Sequence, residues 1–223
     1  PSGGIVYPQG SPLSGQEAIE VRAMTAREED ILTSKALIKK GTVITHLIKS
    51  CLIDKDIDVK NMLSGDRNAL MVGLRVTGYG AGYTCEIDCP LCDHRSKQTF
   101  DLAELPVKKL NIKPVSTGEN LFSFELPYTK KTVEFRFLTG KDEEEIMITS
   151  ERKKKSGFTG SNIVTTRLLY SIVSVDGITD KSKVSGFIRN MPARDSLALR
   201  KHMDEHEPGV DMKSWMDCPS CYE

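Results

Sequence analysis

Two copies of one short pattern, set apart by more than half the chain, constrain most strongly what this sequence can fold into. Asp88-Cys89-Pro90-Leu91-Cys92 recurs as Asp217-Cys218-Pro219-Ser220-Cys221. A Cys-Pro-X-Cys turn holds two thiols on one side of a tight loop, at the separation a single Zn²⁺ requires, so each copy is half of a tetrahedral site. Cys89, Cys92, Cys218 and Cys221 together make a Cys₄ set that leaves no position for water or substrate, which is the chemistry of a structural fastener. The expectation is a structural Zn²⁺ that ties the middle of the chain to residues 218–221, with folding dependent on metal. The bland readings are free reduced thiols or two disulfides. Six cysteines in 223 residues are too sparse for a disulfide scaffold. A thioredoxin-like redox pair would want a βαβ context, whereas both copies follow strand-like segments. Cys85 and His94 are the substitutes within reach of the ligand set, and Cys51 reads as the core of a helix. Zinc ribbons usually carry Gly after the second Cys of each knuckle and then a returning strand; here Asp93 and Tyr222 stand at those positions.

The rest of the composition narrows the field of partners. Lys and Arg number 31 against 31 Asp and Glu, so the basic excess or stripe that displaces phosphate counterions is missing, and nucleic acid is not an expected partner. At 39% hydrophobic and 28% charged residues the chain is an ordinary globular sequence, long enough for a real core without staples. No apolar run approaches the roughly 18 to 20 residues of a membrane-spanning helix, and PSGGIVYPQG lacks the basic and apolar regions of a signal peptide. A soluble protein, intracellular where it is made, is expected, with no membrane partner.

Periodicity divides the chain into an α+β arrangement. Residues 1–18, rich in Gly, Pro and Ser, read as an extended arm. A helical subdomain follows over 19–82. It opens on a short strand at Ala18–Arg22 and a capping box at Thr25-Ala26-Arg27-Glu28, which starts a helix of about four turns stopped at Gly41. A second helix carries Val43, Ile44, Leu47, Ile48, Cys51 and Leu52 on one stripe, and a third, capped by Ser64 or Asp66, carries Leu70, Met71, Leu74 and Val76. Over 83–138 the period changes to two, at Tyr83-Cys85-Ile87, Phe100-Leu102, Leu121–Leu126 and Val133–Phe137, giving a small antiparallel β region with the first knuckle. A second helical subdomain spans 139–208. Its first helix runs from Gly140 to Lys155, with Asp142 to Glu145 near its start and Arg152 to Lys155 near its end, as the helix dipole favours. After a break at 156–160 come a buried-looking helix over Asn162–Ser174, a turn at Asp176-Gly177 and a last helix over Pro192–His206. Residues 209–223 supply a strand and the second knuckle, closing onto the β region.

Two further motifs have sharper readings that the residues do not favour. His202-Met203-Asp204-Glu205-His206 matches the inverted zinc-protease pattern H-x-x-E-H, which would make the protein a metallohydrolase using His202, Glu205 and His206. The favoured alternative is the polar, solvent-facing end of an amphipathic helix, and a catalytic zinc would need a third ligand. Gly78-Tyr79-Gly80-Ala81-Gly82 looks like a phosphate loop, but it follows a helix and precedes a strand, the reverse of a dinucleotide fold. No catalytic constellation is found, and the chain reads as a non-enzyme.

Several segments taken together resemble a known family. PSGGIVY, VRAMTAREEDILTSKALIKKGTVITHLIKSCL and DVKNMLSGDRNALMVGLRVTGYG running into CPLC, with the later CPSC, are similar to the baseplate hub and assembly proteins of T-even-like contractile-tailed bacteriophages. The resemblance is densest over residues 19–92 and thin over about 105–160. It implies a protein of tail morphogenesis, assembled in the host cytoplasm and placed in the virion tail baseplate. Its partners would be other baseplate and tail proteins, whether it stays as a structural part or leaves as a transient assembly chaperone. The Gly/Pro-rich arm would then be ordered on a neighbour. Cys89, Cys92, Cys218 and Cys221 match the family's paired Cys positions, and Thr25, Asp30, Gly65, Asp66, Arg67, Asn68, Arg75, Gly78, Tyr79 and Gly80 match its motif positions. Of these, Asp66 is expected to cap its helix and Arg67 or Arg75 to make an internal ion pair.

Overall fold

The computed structural model describes residues 1–155 and 163–222 and has the expected α+β character. Four helices open it: α1 (Ala26–Thr33), α2 (Lys35–Lys40), α3 (Val43–Cys51) and α4 (Ser64–Tyr79). Then come β1 (Gly82–Asp88), β2 (Arg95–Asp101), a 3₁₀ turn at Leu102–Glu104, and β3 (Val107–Lys108). The second half holds β4 (Phe122–Glu125), β5 (Thr132–Phe135), α5 (Gly140–Lys155), α6 (Ile163–Ser171), β6 (Ile172–Val175), α7 (Lys181–Asn190), α8 (Ala193–His206) and β7 (Gly209–Val210).

At the start of α1, Glu28 accepts both the amide and the hydroxyl of Thr25, at 2.9 and 2.7 Å. The single four-turn helix expected after it is instead two, because Ser34 is extended (ψ 104°) between α1 and α2. Thr33 spends its hydroxyl on the Glu29 and Asp30 carbonyls, a local competition that weakens a helix at its end. The expected strand at 18–22 reduces to one bridge between Val21 and Leu52.

The core lies between these helices and an antiparallel sheet of order β4-β5-β6. Phe122 pairs with Phe135 across β4 and β5, and Phe135 with Ile172 across β5 and β6. Phe122, Phe135 and Phe137 are fully buried, with ring centroids 4.9 to 5.8 Å apart. The turn joining β4 to β5 is held from outside by buried Asp195, which accepts the Tyr128 and Thr129 amides. The helix expected over Asn162–Ser174 stops at Ser171, and Ile172–Val175 becomes the third strand. Three β-branched residues in four suit a pleated strand, and without β6 one edge of β5 would lie unpaired. Asn162 and the break at 156–160 fall outside the described residues. Helix α7 was not expected at all. Its cues are Asp180, whose side chain accepts the Lys183 amide, and the buried Val184 and Ile188 one turn apart.

Residues 1–17 are not a free arm. They fold through successive turns onto the core, burying Val6, Tyr7 and Leu13. Gly4 has φ +71°, and a Cβ there would sit 2.4 Å from the Leu13 carbonyl oxygen, so the turn admits only glycine. The anchor is Asp66, which does not cap α4. Its carboxylate accepts the Ser2 amide at 2.9 Å, the Ser2 hydroxyl at 2.6 Å and the Tyr7 hydroxyl at 2.6 Å. Tyr7 in turn accepts the Leu63 amide, and burial first, then the Asp66 charge, push its phenol well above the usual range.

The β1–β2 hairpin stands apart from this core. Its register runs from Gly82 opposite Asp101 to Asp88 opposite Arg95, and none of its residues joins the hydrophobic cluster. The two-residue pair of β3 with β7 brings the chain back beside it, so that residues 211–222 leave β7 for the hairpin's far end.

Candidate metal centre

The first knuckle is the turn that joins β1 to β2. Cys89 donates its amide to the His94 carbonyl at 3.0 Å, and Asp93 donates to the Cys89 carbonyl at 2.9 Å. The second repeats that bond, Tyr222 to the Cys218 carbonyl at 2.9 Å, at the end of an extended segment. Asp93 and Tyr222 sit at φ 56° and 60°, the left-handed conformation for which ribbons usually use Gly. The departure from the ribbon pattern is therefore one of residue type and leaves the backbone turn unchanged, at a modest local strain.

The two turns bring the four thiols together. All four sulfur atoms lie within 4.8 Å of one another, with Cys89 to Cys221 at 3.8 Å and Cys92 to Cys218 at 3.7 Å. A tetrahedron with Zn–S bonds of about 2.3 Å has S···S edges of about 3.8 Å, so the spacing fits one zinc-sized ion. Cys89 and Cys218 are buried, Cys221 is half-buried and Cys92 faces solvent. Amides of Cys221 and Ser220 point at the Cys218 sulfur, the Ser220 contact being 3.4 Å, and they bring that thiol down to about 6. A thiol so held is largely thiolate at neutral pH, the form a metal takes. Neither Cys85 nor His94 enters the cluster, and Cys51 is buried in α3.

The H-x-x-E-H residues make no such site. The His202 ring stacks on Phe124 at 4.4 Å and meets the edge of Phe135 at 5.8 Å, and burial, with His206 beside it, lowers its pKa. His206 Nδ1 lies 2.7 Å from the His202 carbonyl oxygen. Among the described residues no third His, Cys, Asp or Glu closes around them, so the metallohydrolase reading lacks its metal site. His202 packs against the sheet instead. The Gly-rich stretch at 78–82 is a helix-to-strand turn whose carbonyls are taken by Arg75, at 2.8 Å to Gly80 and 3.4 Å to Gly82. Arg67 makes the internal ion pair, 3.8 Å from Glu144, and donates to Thr45 at 3.0 Å.

Asp66 is the residue whose role the sequence concealed. Ser64 and Asp66 both looked like caps, and no local pattern could show that the partners of Asp66 lie 59 to 64 residues earlier.

A family model described as T4 bacteriophage base plate protein matches residues 10–223. The chain belongs to this family. For a base plate protein, the match takes in residues 105–160, where the resemblance of individual segments was thin, as well as both knuckles. Comparisons with curated proteins and with solved structures found no match. Among the described residues of this base plate protein, no helix is long and apolar enough to cross a membrane.

Proposed function

We propose that this chain is a structural, non-enzymatic part of the phage tail baseplate, put together in the host cytoplasm and held in the virion by contacts with other tail proteins. A Zn²⁺ bound by Cys89, Cys92, Cys218 and Cys221 fastens its exposed ribbon to residues 211–222. The observation that carries this is the closed set of four thiols within 4.8 Å, placed at the end of a hairpin that the core does not support. Family membership supplies the setting. The metal would supply fixed geometry and no reaction, since all four positions are thiolate. The chain's own turns orient the sulfurs, and the amides at 220 and 221 stabilise the charge on Cys218. Balanced overall charge suits protein partners better than nucleic acid.

Peptide mass spectrometry of purified virions, counting this chain against other tail proteins, tests the placement. A fixed small ratio is expected. Presence in infected-cell lysate but absence from particles would instead identify a transient assembly chaperone. Metal analysis of protein purified without chelator is expected to give about one Zn per chain. No metal in a protein whose four thiols remain reduced would remove the fastener.

A further inference from the structure

The three most exposed large hydrophobic side chains among the described residues all belong to the knuckle end. Trp215 is 98% exposed, Tyr222 81% and Leu91 71%. Leu91 lies between two of the clustered thiols, Tyr222 follows a third, and Trp215 is three residues before the fourth, so its Cα is within about 11 Å of that of Cys218. Exposed apolar groups gathered in this way around the four thiols are the pattern of a docking site rather than of scattered surface residues. We propose that the knuckle end of the ribbon is a docking tip, and that its occupant is a basic protein surface with an apolar pocket for Trp215.

Charge decides the occupant. Along the ribbon, Glu86 pairs with Lys97 and Asp88 with Arg95, which cancels those charges. Asp93 and Asp217, each next to a clustered thiol, are in no ion pair among the described residues, and Lys213 is the one Lys or Arg between Asp211 and Tyr222. Four thiolates around one Zn²⁺ add further negative charge. The tip is thus apolar and acidic, which repels nucleic acid and anionic lipid and matches a surface of Lys and Arg. A pocket is required because an indole, with its large flat apolar face and one donor, gains most when enclosed.

This inference rests on the baseplate reading above. Its test uses the zinc-loaded chain, carrying fluorotryptophan at its one Trp, and baseplate assemblies purified from infections by a phage that lacks this chain. Binding is expected to shift and broaden the single fluorine resonance and to weaken as salt rises. Trp215→Ala carries no fluorine and is read as an unlabelled competitor against the fluorotryptophan chain; it is expected to compete about 30-fold more weakly than the unlabelled wild type, the effect of removing a central anchor. Asp93→Lys with Asp217→Lys is expected to weaken binding and flatten its salt dependence, while Tyr128→Ser, exposed on the β4–β5 turn, leaves binding unchanged. Trp215 is too exposed for its loss to threaten folding. Binding with unchanged affinity in Trp215→Ala, or without salt dependence, overturns the tip and leaves the baseplate reading standing. A resonance that shifts with the free chain's own concentration would make a second copy the occupant and overturn the basic partner. No binding by the wild type overturns both.

Discussion

Removing the metal is expected to release one end of this protein and leave the rest folded. Ordering the dozen residues from Asp211 to Tyr222 costs about 12 kcal/mol, at about 1 kcal/mol per residue of backbone freedom. Little apolar burial offsets that cost, since Trp215, Met212 and Tyr222 are exposed and none of these residues joins the hydrophobic cluster. A structural Zn²⁺ contributes about 10 to 16 kcal/mol in small metal-folded peptides, so it is about sufficient for the task and nothing else in the segment is. The hairpin alone is a two-stranded ribbon, marginal without support. The core, by contrast, closes around Phe122, Phe135, Phe137, Ile48 and Leu74 without any residue of 82–101 or 211–222. The sequence led us to expect metal dependence of folding as a whole; this division predicts it for the ribbon and the tail alone. The assay is hydrogen exchange with and without a strong chelator under reducing conditions, with far-ultraviolet circular dichroism in parallel. Chelation, or Cys218→Ser with Cys221→Ser, is expected to remove protection from residues 211–222 and weaken it along β1 and β2. Protection in α4 and β4–β6, and the helical signal, are expected to stay. Cooperative loss of helix on chelation would refute the separation of core and clasp. A tail that keeps its protection without metal would refute the energetic argument for the fastener.

Three further perturbations probe the frame behind the clasp. A Cβ on Gly65 would lie 1.6 Å from the Pro208 carbonyl oxygen, a backbone atom that cannot swing aside, so Gly65→Ala is expected to cost about 3 kcal/mol in denaturant unfolding and to loosen β7 from α4. Asp66→Ala leaves the Ser2 and Tyr7 hydroxyls and the Ser2 amide without their shared acceptor. A loss of about 2 to 4 kcal/mol is expected, with protease cleavage appearing within residues 1–17. Glu28 is held below the usual carboxylate range by Arg22 first, then by Ser50 and Thr25. A depressed carboxyl contributes stability that is complete above its unfolded pKa, about 4.3, and lost as pH falls below it. Glu28→Gln is therefore expected to lower stability at pH 7 and to flatten the loss between about pH 4 and 2, as read from denaturant midpoints across pH.

What could be read in the sequence follows from the range of the forces involved. The knuckles were legible because a Cys-Pro-X-Cys turn is a local structure whose geometry fixes its own chemistry. Two copies imply each other, whatever lies between them. The amphipathic stripes of α3 and α4 and the alternation in β4 and β5 were legible for the same reason, since burial writes its period into consecutive residues; β1 alternates without burying any residue. The errors fall where a distant partner overrides the local preference. Ile172–Val175 continued a helical stripe, and it became a strand because β5 offered an unpaired edge from more than thirty residues away. Asp66 had the position of a cap, and it became the acceptor for an arm whose own composition suggested looseness. His202 was read as part of a polar, solvent-facing helix end, and it became packing because Phe124, far along the chain, lay beneath its ring. In each case the partner was supplied by tertiary structure. That is why the cluster of four thiols, whose members are aligned in pairs by local turns, is the part of this fold most closely tied to its sequence.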